Sequence, residues 1–118
     1  MQIRCALVGM PGSGKSTVGR HLAQRLGVPF IDLDHQLEQV LKPSIRQFFE
    51  AEGEARFRDI EAQVLAKVTA RPGGMVLSTG GGAVLRPENR QVLRDFGNVL
   101  YLRASPEEIF KRVKHDRT

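Results

Sequence analysis

The sequence has few of the residues that mark secreted, membrane-spanning or nucleic-acid-binding proteins. Cys5 is the only cysteine among 118 residues, which excludes an intrachain disulfide, and a thiol inside an apolar segment is expected to be buried and inert. Tryptophan is absent and tyrosine occurs once, which leaves few aromatic platforms for stacking nucleobases. No apolar run approaches the length of a membrane span, and the start lacks the apolar core of a signal peptide. We therefore expect a cytoplasmic protein that binds neither membranes nor nucleic acid.

The charge is biased towards basic residues, with a formal net charge of +5. Basic residues are spread from Arg4 to Arg117, with one local cluster at Lys111, Arg112, Lys114 and Arg117. Such an excess favours either nucleic acid or anionic small molecules as ligands. Because aromatic residues are not interleaved with the basic ones, we favour anionic small molecules. The length predicts one domain.

The most informative stretch is the glycine-rich segment GMPGSGKST, which runs from Gly9 to Thr17. It fits the phosphate-loop pattern G-x-x-x-x-G-K-[ST], in which backbone N–H groups curl around a phosphate. In that pattern Lys15 reaches the β- and γ-phosphates and the Ser16 hydroxyl ligates Mg²⁺. An apolar strand-like run precedes the segment and a helical apolar spacing follows it, which is the context that the pattern requires. The alternative is a flexible turn between a strand and a helix. The predicted nucleotide-binding residues here are Gly12, Ser13, Gly14, Lys15, Ser16 and Thr17.

Strand and helix patterns alternate along the chain, which predicts an α/β fold with a parallel sheet covered on both faces. Strands are predicted at 3–8, 28–31, 75–78 and 98–102, and helices at 18–26, 35–41, 45–52, 54–70, 87–96 and 105–114. Ser44 is expected to cap the third helix, which directs Ile45, Phe48 and Phe49 inward. Ligands of such sheets bind at the carboxyl ends of the strands. The phosphate loop, Asp32 with Asp34, and Gly80–Gly82 should therefore converge on one crevice.

Two aspartates flank Leu33 directly after the second predicted strand. In an extended chain they point the same way, since side chains alternate with a period of two. Phosphoryl transfer needs one carboxylate near the metal and another near the attacking hydroxyl, whose proton it can take. The alternative is that Asp32 and Asp34 are turn or helix-capping residues.

Two further features are ambiguous from the residues alone. The glycines Gly80–Gly82 are either a flexible connection or a place where backbone N–H groups approach a small ligand. Arg58 is either a surface residue beside apolar neighbours or a bidentate hydrogen-bond donor to a carboxylate. The second interpretation requires that it face the crevice. In the second case Glu61, three residues later, could fix its rotamer. No histidine has metal-ligand spacing to another histidine or cysteine, so a histidine metal site is not expected.

Four motifs in this order and spacing resemble the shikimate kinase family: GMPGSGKST at 9–17, Asp-Leu-Asp at 32–34, Phe-Arg at 57–58 and Thr-Gly-Gly-Gly at 79–82. The resemblance implies a three-layer P-loop NTPase fold with strand order 2-3-1-4, as a single domain over residues 1–118. It also implies ATP-dependent phosphorylation of the 3-hydroxyl of shikimate to shikimate 3-phosphate. ATP and shikimate would be the partners of a monomer, and Mg²⁺ would be the cofactor.

The resemblance also assigns roles to individual residues. Lys15 and Ser16 would serve the phosphates and Mg²⁺, and Asp32 would hold Mg²⁺ through water. Lys15 and Asp34 would be catalytic, Asp34 as the base that also binds shikimate hydroxyls. Arg58 would hold the shikimate carboxylate, and Arg112 would lie near the adenine. The implied substrate-binding residues are Asp34, Phe49, Phe57, Arg58, Gly80, Gly81 and Gly82, with the two phenylalanines as apolar walls.

The sequence departs from the family pattern near Thr118. In this family the chain continues through a mobile lid with an R-P-L-L motif, a second substrate arginine, a fifth strand and a final helix. We therefore weigh three hypotheses: an N-terminal part of a longer shikimate kinase, a nucleotide-binding module without efficient transfer, and another small-molecule kinase of the gluconate kinase type. The Asp-Leu-Asp, Phe-Arg and triple-glycine motifs argue against the third.

Overall fold

A computed structural model describes residues 3–9, 15–41 and 44–102 of the chain. The strands are β1 (Arg4–Gly9), β2 (Phe30–Asp32), β3 (Met75–Gly80) and β4 (Asn98–Leu102). The helices are α1 (Lys15–Leu26), α2 (Leu33–Val40), α3 (Ile45–Glu52), α4 (Glu54–Thr69) and α5 (Pro87–Phe96), with a short 3₁₀ helix at Gly81–Leu85. The predicted helix at 105–114, the basic cluster that contains Arg112, and the loop residues Gly12, Ser13 and Gly14 lie outside the described residues.

The described strands form one parallel sheet in the order β2-β3-β1-β4, which confirms the predicted order. β1 lies in the middle, where Leu7 pairs with Ser78 of β3 and with Leu100 of β4. Asp32 of β2 also pairs with Ser78 from the other side. A central strand that is covered on both faces must be apolar on both, and β1 is buried from Cys5 to Gly9.

The core has two parts, one on each face of the sheet. On the first face, α2, α4 and α5 pack their leucines and phenylalanines against alternate strand residues, in a cluster that contains Ala6, Val8, Leu33, Leu37, Leu41, Phe57, Leu65, Val68, Met75, Leu77, Leu93 and Phe96. On the second face, α1 contributes Ala23 to a smaller cluster with Cys5, Leu7 and Val76. The result is the predicted three-layer α/β fold. Burial also raises the pKa of the Cys5 thiol above its ordinary value, as expected for an inert cysteine.

Helix ends follow the local signals that the sequence contains. Ser44 caps α3 by accepting a hydrogen bond from the Gln47 N–H at 3.0 Å. Gly27 follows the last residue of α1 with a φ of 68°, a conformation that favours glycine. Among the described residues, no helix is both long enough and apolar enough to cross a bilayer.

Two sequence predictions are wrong in detail. The second strand runs from Phe30 to Asp32, and α2 already begins at Leu33 and not at His35. Phe49, predicted to face inward, is 38% exposed. It follows Phe48 by one residue, which is about 100° around the helix, so Ile45 and Phe48 pack against the core while Phe49 stays partly exposed beside the Phe57 ring.

A basic side chain anchors the end of the sheet opposite to the strands' carboxyl ends. The Arg4 guanidinium donates hydrogen bonds to the carbonyls of Thr69, Arg71 and Gly73 at 2.7, 2.9 and 2.5 Å. It also lies over the Phe96 ring, 4.5 Å from the ring centre. These carbonyls belong to the end of α4 and the turn after it, where a cation is favourable for the helix dipole. The sequence analysis did not predict this role.

We expect Arg4→Met to lower the free energy of unfolding by about 1–3 kcal/mol, because three carbonyls lose a charged donor. The measurement is urea denaturation followed by circular dichroism. The matched control is Arg46→Met on α3, since the Arg46 side chain is 88% exposed. Equal stability of the two variants would show that Arg4 does not anchor α4.

Candidate active site

Three strands end within two residues of one another at the carboxyl edge of the sheet. Gly9 of β1 pairs with Gly80 of β3, and Asp32 of β2 pairs with Ser78, two residues earlier on β3. The start of α1, the end of β2 and the glycines after β3 therefore lie at one edge. The crevice predicted from the sequence therefore lies at this edge, as far as the described residues form it.

The first functional pair joins α1 to β2. The Ser16 hydroxyl donates to Oδ2 of Asp32 at 3.2 Å, while Oδ1 of Asp32 accepts the Asp34 N–H at 3.0 Å. Asp32 is therefore the N-cap of α2 and a partner of Ser16 at once, so the two interpretations of this aspartate do not exclude each other. A hydroxyl and a carboxylate are hard oxygen donors of the kind that Mg²⁺ prefers. Among the described residues, no group of three or more His, Cys, Asp or Glu side chains could hold a metal by itself.

The predicted orientation of the two aspartates is wrong, because the chain does not stay extended through them. Asp32 caps α2, Leu33 is its first residue and is fully buried, and Asp34 lies in its first turn. Capping by Asp32 starts the helix two residues earlier than the sequence pattern indicated. Asp34 is exposed at the start of α2, and its side chain follows helical geometry and not strand alternation. Asp34 still lies close to the carboxyl edge of the sheet, as predicted, because Asp32 is the last residue of β2.

Arg58 is held in place rather than extended over the surface. Its Nη1 donates to Oε1 of Glu61 at 2.9 Å, and its side chain is 21% exposed while that of Glu61 is only 4% exposed. The Arg58 Nε lies 3.7 Å from the Glu54 carboxylate, which is 62% exposed. The sequence analysis proposed the i+3 contact with Glu61, but it did not predict that Glu61 would be buried. A buried carboxylate that is paired with an arginine fixes the position of the guanidinium.

The same guanidinium explains one of the three glycines. A Cβ atom at Gly82 would overlap the Arg58 guanidinium, so any larger residue here would displace the guanidinium from its present position. Gly80 differs, because a Cβ atom there would meet no atom of the described residues within 4 Å. The packing of the described residues therefore accounts for Gly82 and leaves open space beside Gly80.

The 3₁₀ helix that carries these glycines is braced from α5. The buried Asn89 donates from Nδ2 to the Ala83 carbonyl at 3.0 Å, and Arg90 donates to the Val84 carbonyl at 2.7 Å. From the residue that precedes α5, Arg86 forms an ion pair of 2.8 Å with Asp59 of α4. The role of Asn89 was not predicted from the sequence. Asn89 precedes Leu93 by four residues and Phe96 by seven, and this spacing on one helix face could have indicated that it is buried.

The two phenylalanines predicted as apolar walls contact each other. The Phe49 and Phe57 rings lie 5.4 Å apart at an interplanar angle of 58°, which is a tilted aromatic pair. Phe57 is 6% exposed, whereas Phe49 is 38% exposed. The Arg58 guanidinium lies 5.2 Å from the centre of the Phe57 ring. The aromatic pair and the Arg58 guanidinium thus lie side by side.

The fold and the site together define a class of protein. This chain has the fold of P-loop kinases. It combines a parallel sheet of order 2-3-1-4 with a Gly-Lys-Ser segment that leads into α1 and with an acidic residue at the end of β2 next to that segment. A protein-family model described as shikimate kinase matches residues 11–118. The chain belongs to the shikimate kinase family, and the hypothesis of a gluconate kinase type is therefore wrong.

Individual relatives agree with this assignment. The shikimate kinase of Paracidovorax citrulli is 59% identical over 118 residues, which cover 99% of this chain and 64% of that protein. The crystal structure of shikimate kinase from Bacteroides thetaiotaomicron is 35% identical with a TM-score of 0.84, over 97% of this chain and 67% of that one. The shikimate kinase of Acinetobacter baumannii in complex with shikimate is 43% identical with a TM-score of 0.84, over 99% of this chain and 65% of that one. The chain thus spans about two thirds of the length of these relatives.

We expect Glu61→Gln to lower the free energy of unfolding by about 1–3 kcal/mol, because the half-buried Arg58 charge loses its buried counter-charge. Urea denaturation measures this difference. Glu54→Gln is the matched control, since it removes the exposed partner of the same arginine and should cost less than about 0.5 kcal/mol. If the two variants were equally stable, Glu61 would not be the residue that holds Arg58.

Proposed function

We propose that this chain forms the nucleotide-binding and shikimate-binding parts of a shikimate kinase. The observation that carries the proposal is the fixed guanidinium of Arg58, which lies against Gly82 beside the carboxyl edge. In the reaction the 3-hydroxyl oxygen of shikimate forms a bond to the γ-phosphorus of ATP. The bond from that phosphorus to the β,γ-bridging oxygen breaks, the hydroxyl proton goes to a base, and ADP leaves.

The nucleotide end of the proposed site is the segment that opens α1. Gly12, Ser13, Gly14, Lys15, Ser16 and Thr17 are proposed to bind the phosphates, at a helix N-terminus that favours an anion. The Ser16 hydroxyl and the Asp32 carboxylate, 3.2 Å apart, suit Mg²⁺, with Ser16 as a direct ligand and Asp32 acting through water. Ser16 and Asp32 would hold Mg²⁺ here, and the ion would supply positive charge that offsets the charge of the nucleotide phosphates. Arg112 is proposed to lie near the adenine.

The acceptor end combines one carboxylate, one arginine and an apolar wall. Asp34, in the first turn of α2, is proposed to orient the shikimate hydroxyls and to take the proton of the 3-hydroxyl. Arg58 is proposed to bind the shikimate carboxylate, and its buried Nε has no hydrogen-bond partner among the described residues. Phe49 and Phe57 would cover the ring, with Gly80, Gly81 and Gly82 on the other side. Open space beside Gly80 supports this arrangement.

The second hypothesis, a module that binds ATP without efficient transfer, differs from the first in the rate of phosphoryl transfer and not in nucleotide binding. In this family a lid arginine stabilises the transferring phosphate, and such arginines contribute about 10³–10⁵ in rate. We propose the cytoplasm as the location, where ATP is available to a kinase. The monomeric state and the extent of the single domain over residues 1–118 stay predictions.

For the 118-residue chain we expect Mg²⁺-dependent binding of ADP and ADP release from ATP that depends on shikimate. Calorimetry measures the binding, a coupled ADP assay measures the release, and circular dichroism confirms that the chain is folded. A folded chain that binds ADP but releases none with shikimate would support the second hypothesis. Failure to bind ADP would overturn both hypotheses.

We expect Arg58→Ala to raise the KM or Kd for shikimate about 100-fold, since two charge-assisted hydrogen bonds to the carboxylate are lost. The KM or Kd for ATP should change by less than about twofold. Arg56→Ala, which removes an exposed arginine of the same helix, is the matched control and should change neither value. Equal effects of Arg58→Ala on both substrates would remove the role assigned to Arg58.

A further inference from the structure

Asn89 is a buried polar side chain on an otherwise apolar helix face. It lies in the first turn of α5, is 2% exposed, and shares the buried face with Leu93 and Phe96. Its Nδ2 donates a hydrogen bond of 3.0 Å to the Ala83 carbonyl, six residues earlier in the chain. A buried amide is unfavourable unless it is hydrogen-bonded, and here the bond leads out of the helix to another element. What Asn89 contributes is therefore a fixed position for Ala83 rather than apolar packing.

The Ala83 carbonyl lies directly after the three glycines. Gly80 ends β3, where it is paired with Gly9 of β1, and the 3₁₀ helix starts at the next residue. Glycines have no side chains that could pack, and their backbone is freer than that of other residues. The segment Gly80–Gly82 is thus held at its start by the sheet and at its end by Asn89.

Between these two ends the glycine segment lies against Arg58. A Cβ atom at Gly82 would overlap the Arg58 guanidinium, so the backbone of Gly82 and the guanidinium are close together. The guanidinium is held independently by Glu61, whose side chain is 4% exposed and accepts its hydrogen bond at 2.9 Å. A shift of the glycine backbone would therefore change its position relative to a charged group that does not move with it.

Asn89 and the proposed nucleotide end lie on opposite faces of the sheet. The α5 residues Leu93 and Phe96 pack in the same cluster as Phe57 of α4, whereas α1 packs on the other face. The first turn of α1 contains Ser16. A change at Asn89 should therefore affect the glycines and their contact with α4 more than the segment that opens α1.

We propose that Asn89 is a positioning residue for the acceptor. Its hydrogen bond to Ala83 fixes the Gly80–Gly82 backbone beside Arg58, so that both can contact the same carboxylate-bearing molecule. The inference rests on the proposed function, in which shikimate binds between these groups. Groups that bind a ligand must keep their geometry to within about 0.5 Å, and the residues behind them provide this precision. Asn89 acts only through the backbone that it holds.

The test is Asn89→Leu, which keeps the approximate size of the side chain and removes its donor. We expect the calorimetric Kd of shikimate to rise about tenfold and the Kd of ADP with Mg²⁺ to change by less than about twofold, because only the glycine backbone loses its fixed position. Asn89→Ser keeps a hydroxyl that can reach the carbonyl through a water molecule. Its Kd for shikimate should lie between those of Asn89→Leu and the unmodified chain. Circular dichroism shows whether each variant is folded.

Arg4→Met is the matched control, since it removes three hydrogen bonds at the opposite end of the sheet. It should lower the Tm and leave the Kd of shikimate unchanged, which separates positioning from general stability. An unchanged shikimate Kd in Asn89→Leu, or in Asn89→Ser if Asn89→Leu does not fold, would overturn this inference alone, and so would equal rises for shikimate and ADP. An unmodified chain that binds ADP and not shikimate would overturn the acceptor end of the proposed function as well.

Discussion

The parallel register of β1, β2 and β3 is the constraint on which the site depends. Gly9 is level with Gly80, and Asp32 is level with Ser78, so three segments that are far apart in sequence end at one edge. This register is strongly specified, because a slip by one residue would move the apolar set of a strand to the wrong face. With both faces of β1 buried under helices, the sheet has little freedom to shift.

A second constraint is the burial of charge between α4 and the 3₁₀ helix. Glu61 has almost no exposed side chain, and its carboxylate accepts from Arg58. A charge in such a position is stable only when its partner stays close. The guanidinium in turn leaves no space for a Cβ atom at Gly82. The stability of the protein and the proposed binding of a carboxylate thus depend on the same contacts of Arg58 with Glu61 and Gly82.

Asp32 illustrates how one side chain can serve fold and site together. One carboxylate oxygen caps α2 and the other accepts from Ser16. The cap directs the chain into a helix directly after β2, so Asp34 is carried at the start of α2 and Leu33 enters the core. The Asp32 carboxylate thus connects the start of α1 to the end of β2 at this edge of the sheet.

The sequence by itself determined the alternation of strands and helices, the cap at Ser44 and the end of α1 at Gly27, because these follow from apolar periodicity and local backbone chemistry. Resemblance to a family added the strand order. The burial of Glu61 and the positions of Arg58 and Ser16 were decided only by the tertiary structure, because they depend on contacts between distant segments, such as Arg58 against Gly82 or Ser16 with Asp32. The errors for Asp34 and Phe49 have local causes, namely the cap at Asp32 and the angular spacing of residues on a helix. A local sequence pattern can identify the residues of a site, whereas tertiary packing determines the positions of their side chains.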